Sequence, residues 1–187
     1  MNTKFITKSL LLTTALAIML LLSMPSRAGL EEANSAYNNK DYKTALREYL
    51  PLAKKGNDYA QFKVGELYFE GKGVLQDYEE GYKWLTKSAE QENPLALAML
   101  AVKFADGKGV KRILVFAHAY INLAEANRFK YPELNEKIDV FTKLRDSLEQ
   151  EMTPSEVEAA QVFAKAQQKY AMANKNGLHL PKYDDVK

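Results

Sequence analysis

The residues that could do chemistry in this chain are few, and each also has a structural explanation. Gly-Lys-Gly occurs twice, at Gly71-Lys72-Gly73 and Gly107-Lys108-Gly109. Glycine and lysine before a helix can cradle a phosphate. Here the Gly-x4-Gly-Lys-Ser/Thr pattern and a preceding strand are both missing, so these are read as turns. His118 sits between apolar residues with no nucleophile or orienting group nominated nearby, so it is read as a surface or packing histidine rather than a base. His179, near the C-terminus, is read the same way. Glu79-Glu80 and Glu90 with Glu92 could work as paired carboxylates. Their places at helix ends fit a solvated face, and acids in a first turn complement the helix dipole. There is no cysteine, which removes disulfides, thiolate metal sites and cysteine nucleophiles. No catalytic, metal or cofactor-binding residue is nominated, and the chain is expected not to be an enzyme.

The elements that would position any site follow from a repeat. Residues 60–74 (AQFKVGELYFEGKGV) return at 96–110 (ALAMLAVKFADGKGV), a shift of 36 residues. A period of that length means stacked helical hairpins. Asp41, Asn57 (or Asp58), Asp77 and Asn93 are placed to cap helices starting near Tyr42, Tyr59, Tyr78 and Leu95, with Pro94 at a first helical position. Gly56, Gly71 and Gly107 fall at helix ends. Gly65 lies mid-helix at a cost of roughly 1 kcal/mol against alanine, which implies close approach of a neighbouring helix. Ala45, Tyr49 and Leu52, then Ala60, Val64, Leu67 and Tyr68, then Gly81, Trp84, Leu85, Ser88 and Ala89 are the expected buried stripes. After a further helix from about Ile113 the repeat ends. Leu134, Ile138, Phe141, Leu144, Leu148 and Met152 trace one amphipathic helix. Thr153-Pro154-Ser155-Glu156 is a capping box opening a last helix with the stripe Ala159, Phe163, Ala166 and Tyr170. Residues 174–187 are polar and expected to fray.

The N-terminus reads as an export signal. Lys4 and Lys8 precede an uncharged stretch of 16 residues, Ser9 to Met24, short of the roughly 20 needed to span a bilayer. Pro25 and Ser26-Arg27-Ala28 then suit cleavage after Ala28. Removing Lys4, Lys8 and Arg27 from 26 basic side chains leaves 23 against 24 acids, a net of −1. Such a surface gives no electrostatic case for nucleic acid or an anionic membrane, and no membrane insertion is expected once the signal is removed. The expected organisation is a signal peptide at 1–28, a repeat domain at 29–173 (repeats about 30–57, 58–93 and 94–129, then C-terminal helices 132–173) and a tail at 174–187.

The unit Ala60-x3-Val64-Gly65-x2-Tyr68-x2-Gly71-x-Gly73-Val74-x2-Asp77-x3-Gly81-x2-Trp84-x2-Lys87-Ser88-Ala89 resembles the Sel-one-like repeat (SLR), a relative of the tetratricopeptide repeat. In the second copy Ala101, Phe104, Ile113 and Tyr120 replace Gly65, Tyr68, Asp77 and Trp84. Ala117 to Asn127 and the segment from Met152 to Gln161 resemble forms common in bacterial members, the latter as a C-terminal capping helix. The resemblance implies an all-α, right-handed solenoid of helix-turn-helix units closed by capping helices. It also implies protein–protein binding, as a periplasmic or secreted scaffold or adaptor, with the partner unspecified. The alternatives are a cell-wall or β-lactam hydrolase-like enzyme, although the relatives so associated carry cysteine pairs that this chain lacks, and a structural brace of an envelope assembly. In such solenoids the first helix of each hairpin lines the inner surface. Function is expected where the copies differ: Gln61, Lys63 and Glu66 become Leu97, Met99 and Val102. Phe69 and Lys103 complete the candidate partner-binding set. The competing expectation is that the C-terminal helices cover these positions.

Overall fold

A computed structural model describes the backbone of residues 25–132, 135–174 and 177–187, and the side chains there except at 25–28, 135–139 and 174. The apolar run of the expected signal, up to Met24, and Leu134 and Ile138 of the expected amphipathic stripe lie outside the described residues or side chains. The elements are α1 (Pro25–Asn38), α2 (Tyr42–Lys54), α3 (Asp58–Glu70), α4 (Tyr78–Glu90), α5 (Pro94–Asp106) and α6 (Leu114–Ala126). A 3-10 turn (Arg128–Lys130) follows, then α7 (Asn135–Glu149), α8 (Pro154–Asn174) and a final turn of helix, α9 (Tyr183–Val186).

Side-chain caps fix where the helices begin. Asp41 accepts from Thr44 N at 3.2 Å, Asn57 from Ala60 N at 2.8 Å and Asp77 from Glu80 N at 2.9 Å. Asn93 accepts from both Leu95 N and Ala96 N. Each bond satisfies an amide that the helix itself leaves open. At Thr153 the capping box forms both ways. Glu156 N donates to Thr153 Oγ1 at 3.3 Å, and Thr153 N donates to Glu156 Oε2 at 2.8 Å. Those backbone and hydroxyl donors hold the Glu156 carboxyl below the usual glutamate range. Gly71 and Gly107 end α3 and α5 at φ 65° and 68°, the left-handed conformation that other residues resist.

Antiparallel pairs α1–α2, α3–α4 and α5–α6 stack in order, with α2 on α3 and α4 on α5 joining one hairpin to the next. The hairpin α3–α4 is buried on two faces. Val64, Leu67 and Trp84 belong to one apolar cluster with Ala45, Tyr49 and Leu52 of α2. Phe62, Phe69, Tyr82 and Leu85 belong to a second, with Leu97, Leu100, Phe104 and Tyr120. Neither face could be buried by the hairpin alone, so stacking supplies the core. The expected close approach occurs at Gly65. A Cβ there would lie 2.7 Å from Leu85 Cγ and 3.0 Å from the carbonyl oxygen of Gly81, and one on Gly81 would lie 2.5 Å from Phe69 Cδ2.

Beyond α6 the architecture changes. Both α7 and α8 pack on α6, where a fourth hairpin would otherwise stack. Phe141, Leu144, Leu148 and Met152 of the expected α7 stripe face the core. The stripe expected on α8 is rotated by one residue: Ala160, Ala164 and Ala171 are buried, Phe163 is half-buried, and Ala159, Ala166 and Tyr170 are exposed. Alanines at these positions let α8 lie close to α6, whereas the bulkier Tyr170 faces outward and meets the His179 ring at 5.7 Å.

The segment after α8 also departs from expectation. Instead of fraying, residues 177–187 return along α4, burying Leu178, Leu180 and Val186. Leu178 N donates to Glu90 O at 2.9 Å, Tyr82 Oη to Pro181 O at 2.9 Å and Lys111 N to Val186 O at 2.7 Å. Three apolar residues spread through a polar tail gave no periodic signal, and only the surface they meet makes them core.

Candidate partner-binding groove

The open face of the stack is lined by the first helices of the second and third hairpins. Along α3, Tyr59, Phe62, Lys63, Glu66 and Glu70 border a cavity of about 490 Å³; along α5, Leu95, Met99, Val102 and Lys103 do so. These positions recur at three- and four-residue spacing, so each set forms one stripe on its helix. Val140 and Phe141 of α7 form a side wall. Thus α7 borders the groove without closing it, and Met99 and Val102 are left partly exposed.

Five of the eight residues nominated from sequence come together here: Lys63, Glu66, Met99, Val102 and Lys103. Three do not. Gln61 is buried, donating from Nε2 to Ala53 O at 3.1 Å and accepting from Gln91 Nε2 at 2.7 Å. Leu97, its counterpart in the next hairpin, is fully buried, as is Phe69. Positions 61 and 63 are two residues apart and therefore point about 200° apart on a helix. Comparing the two copies found positions that differ, but not the face they occupy. Tyr59, Phe62, Glu70 and Leu95 were missed for the same reason, and stepping by three and four from Lys63 and Met99 reaches them. Nothing local in the sequence brings Val140 and Phe141 to this groove.

The charges are ordered by their surroundings. Lys63 Nζ lies 2.9 Å from Glu66 Oε2 and 3.8 Å from the centroid of the Tyr37 ring. Burial, and next the Glu66 carboxylate, push the Tyr37 phenol well above the usual tyrosine range. Glu70 pairs with Lys72. Lys103 is 8% exposed, with Nζ 5.2 Å from the centroid of the Phe69 ring. Burial, reinforced by nearby Lys108, lowers its pKa below the ordinary lysine value. His118 lies on the other side of α6, 1% exposed, with Nε2 2.6 Å from Glu149 Oε1 and Nδ1 3.2 Å from Asn122 Nδ2. It joins α6 to α7 and does not face the groove cavity. Lys72 and the two Gly-Lys-Gly segments are turns, with Gly73 and Gly109 at φ 72° and 78°.

Comparison with known proteins agrees with this architecture. The family model described as Sel1 repeat matches residues 58–93, the hairpin α3–α4 with its flanking turns. The Sel1-like repeat-containing protein L18 of Acanthamoeba polyphaga mimivirus is 38% identical over 45 residues, 24% of this chain and 8% of that protein. A crystal structure of a protective antigen of uropathogenic Escherichia coli strains, displaying an SLR fold, covers 86% of this chain and 35% of its own at 23% identity, with a TM-score of 0.65. A Sel1 repeat protein from Oxalobacter formigenes aligns over 46% of this chain and 25% of its own at 27% identity, with a TM-score of 0.45. The chain therefore spans about a third or less of the length of these relatives. The chain thus carries a Sel1 repeat at residues 58–93, set among helical hairpins that stack in order as in the SLR fold.

Proposed function

We propose that this protein is a scaffold or adaptor that binds a protein partner in the groove between α3, α5 and α7. The observation that carries this reading is the groove itself: Met99, Val102 and Val140 are apolar, solvent-accessible and bordered by ordered charges. Apolar anchors rimmed by polar groups are what a partner site requires, and a preformed groove limits the ordering cost of binding. Placing a photo-crosslinking amino acid at Val102 in cells tests it. Discrete protein adducts that disappear with Met99→Asp are expected; the same adducts from a control probe at exposed Lys165 would overturn the reading.

The protein is proposed to act in the bacterial envelope, either in the periplasm or outside the cell. This part rests on the basic start, the apolar run and the Ser26-Arg27-Ala28 segment. Cleavage after Ala28 would trim the first turn of α1, which runs from Pro25, and leave Gly29 as the new N-terminus. Intact-mass measurement of the protein recovered from the envelope fraction should find that terminus. Recovery with Met1 to Ala28 retained, in the cytoplasm, would remove the export proposal and leave the groove reading untouched.

A further inference from the structure

The groove carries a cation, Lys103, that no described side chain pairs at contact distance; Glu70, Asp106 and Glu66 act on it only from farther away. Lys63 is matched by Glu66 and Glu70 by Lys72. Lys103 lines the same cavity, more than nine-tenths buried. Among the described residues, no hydrogen bond or ion pair reaches its Nζ, and its one polar-type contact is with the face of Phe69. A buried, unpaired ammonium is costly, and that cost is recovered when a carboxylate accepts its hydrogen bonds in a site shielded from water. Lys103 also sits at one end of the groove. From Leu95 to Lys103 the wall of α5 extends about 12 Å at the helical rise, with Met99 and Val102 between.

We propose that the groove accepts an apolar protein segment bearing an acidic side chain at one end of its apolar run, with that carboxylate accepting from Lys103 Nζ. The apolar side chains of the segment pack over Met99, Val102 and the α7 wall at Val140 and Phe141. The inference rests on the reading of this groove as a partner site, and it adds the chemistry of the occupant. The lowered pKa of Lys103 fits a site awaiting an anion: burial disfavours its charged form, and pairing favours it.

The test is selection from a displayed library of random 12-residue peptides on the purified full chain, followed by anisotropy measurements with the selected peptides made C-terminally amidated. Selected peptides should carry Asp or Glu beside apolar residues. Their affinity should fall roughly ten- to hundredfold when that acid becomes its amide or when the protein carries Lys103→Met, the loss expected for a hydrogen bond between charged groups. Lys103→Arg should largely preserve binding, and circular dichroism melts of each variant establish that it is folded. Peptides that ignore Lys103→Met but are lost with Met99→Asp would overturn the acidic assignment and leave the groove. Free-acid peptides that bind without an internal acid would overturn it in favour of a chain terminus. If no peptide is selected, or if binding survives Met99→Asp, the groove reading itself fails.

Discussion

Hairpins α3–α4 and α5–α6 repeat one another down to individual hydrogen bonds. Asp77 N donates to Tyr68 O at 3.0 Å, and Ile113 N to Phe104 O at 3.0 Å. Gln76 Nε2 donates to Phe69 O and Arg112 Nε to Ala105 O, two unlike side chains making the same bond 36 residues apart. Even the left-handed residue before each hairpin is kept, with Gly56 at φ 92° and Glu92 at φ 63°, although glutamate is strained there. The surfaces nevertheless diverge. The first hairpin offers the paired charges Lys63 and Glu66 to the groove, and the second offers Met99, Val102 and a Lys103 with no ion pair among the described residues. A shared backbone therefore leaves the exposed stripe free to change without cost to the stack. Cover differs too: α3–α4 is sandwiched by hairpins, with the returning tail along α4, whereas α5–α6 is closed by α7 and α8.

The largest expected effect probes the packing that both hairpins share. Trp84→Ala should lose about 3–5 kcal/mol in a urea titration, as a large buried side chain is removed between hairpins. A loss below about 1 kcal/mol would mean that Trp84 does not bridge them. Leu180→Ala tests whether the tail returning along α4 contributes to stability; a loss of about 2–4 kcal/mol is expected for this buried leucine, and no change would show the tail to be dispensable. At the helix crossings, Gly81→Ala should cost about 1–3 kcal/mol by overpacking against Phe69, less what alanine returns in helix propensity. Its counterpart Ala117→Gly should cost about 1 kcal/mol through propensity and lost packing. Equal tolerance of alanine at both sites would erase this contrast.

Smaller effects concern caps and charge. Asp77→Ala should cost about 1 kcal/mol. Ile113 makes no side-chain cap bond, so a substitution there should report on packing alone. Lys103→Met should raise stability by about 1 kcal/mol, the order seen when buried charge gives way to a hydrophobe. Because the folded-state pKa of Lys103 is lowered, the unfolded chain holds more of this proton between the two values. Stability should therefore rise as pH increases through that interval toward about 10.4, and Lys103→Met should flatten the rise. A melt series that keeps the same slope in both proteins would show that Lys103 is not the group responsible.

Much of the fold was legible because it is written in local terms. The caps at Asp41, Asn57, Asp77, Asn93 and Thr153, the turn glycines and the stripes of α2 to α4 each depend on residues within about four positions of one another. The candidate site was only partly legible. Lys63, Glu66, Met99 and Val102 were found by comparing repeats, with Lys103 and Phe69 added to complete the set; Gln61 and Leu97 were included because that comparison carries no information about helical phase. On α8, with alanine at 159, 160, 164, 166 and 171, the sequence offers two nearly equal stripes, and contact with α6 selects between them.

By itself, then, the sequence determined the period, the hairpins, their starts and stops and the glycine-sized crossings, since these follow from hydrogen bonds and steric limits reached within a turn or two of chain. Only the tertiary structure decided that α7 walls the groove instead of covering it, that residues 177–187 fold back along α4, and that Lys103 is buried with no direct ion pair among the described residues. Each of those outcomes depends on which surfaces meet after the chain has travelled tens of residues. Burial, unlike capping, is a property of that meeting and not of the residue alone.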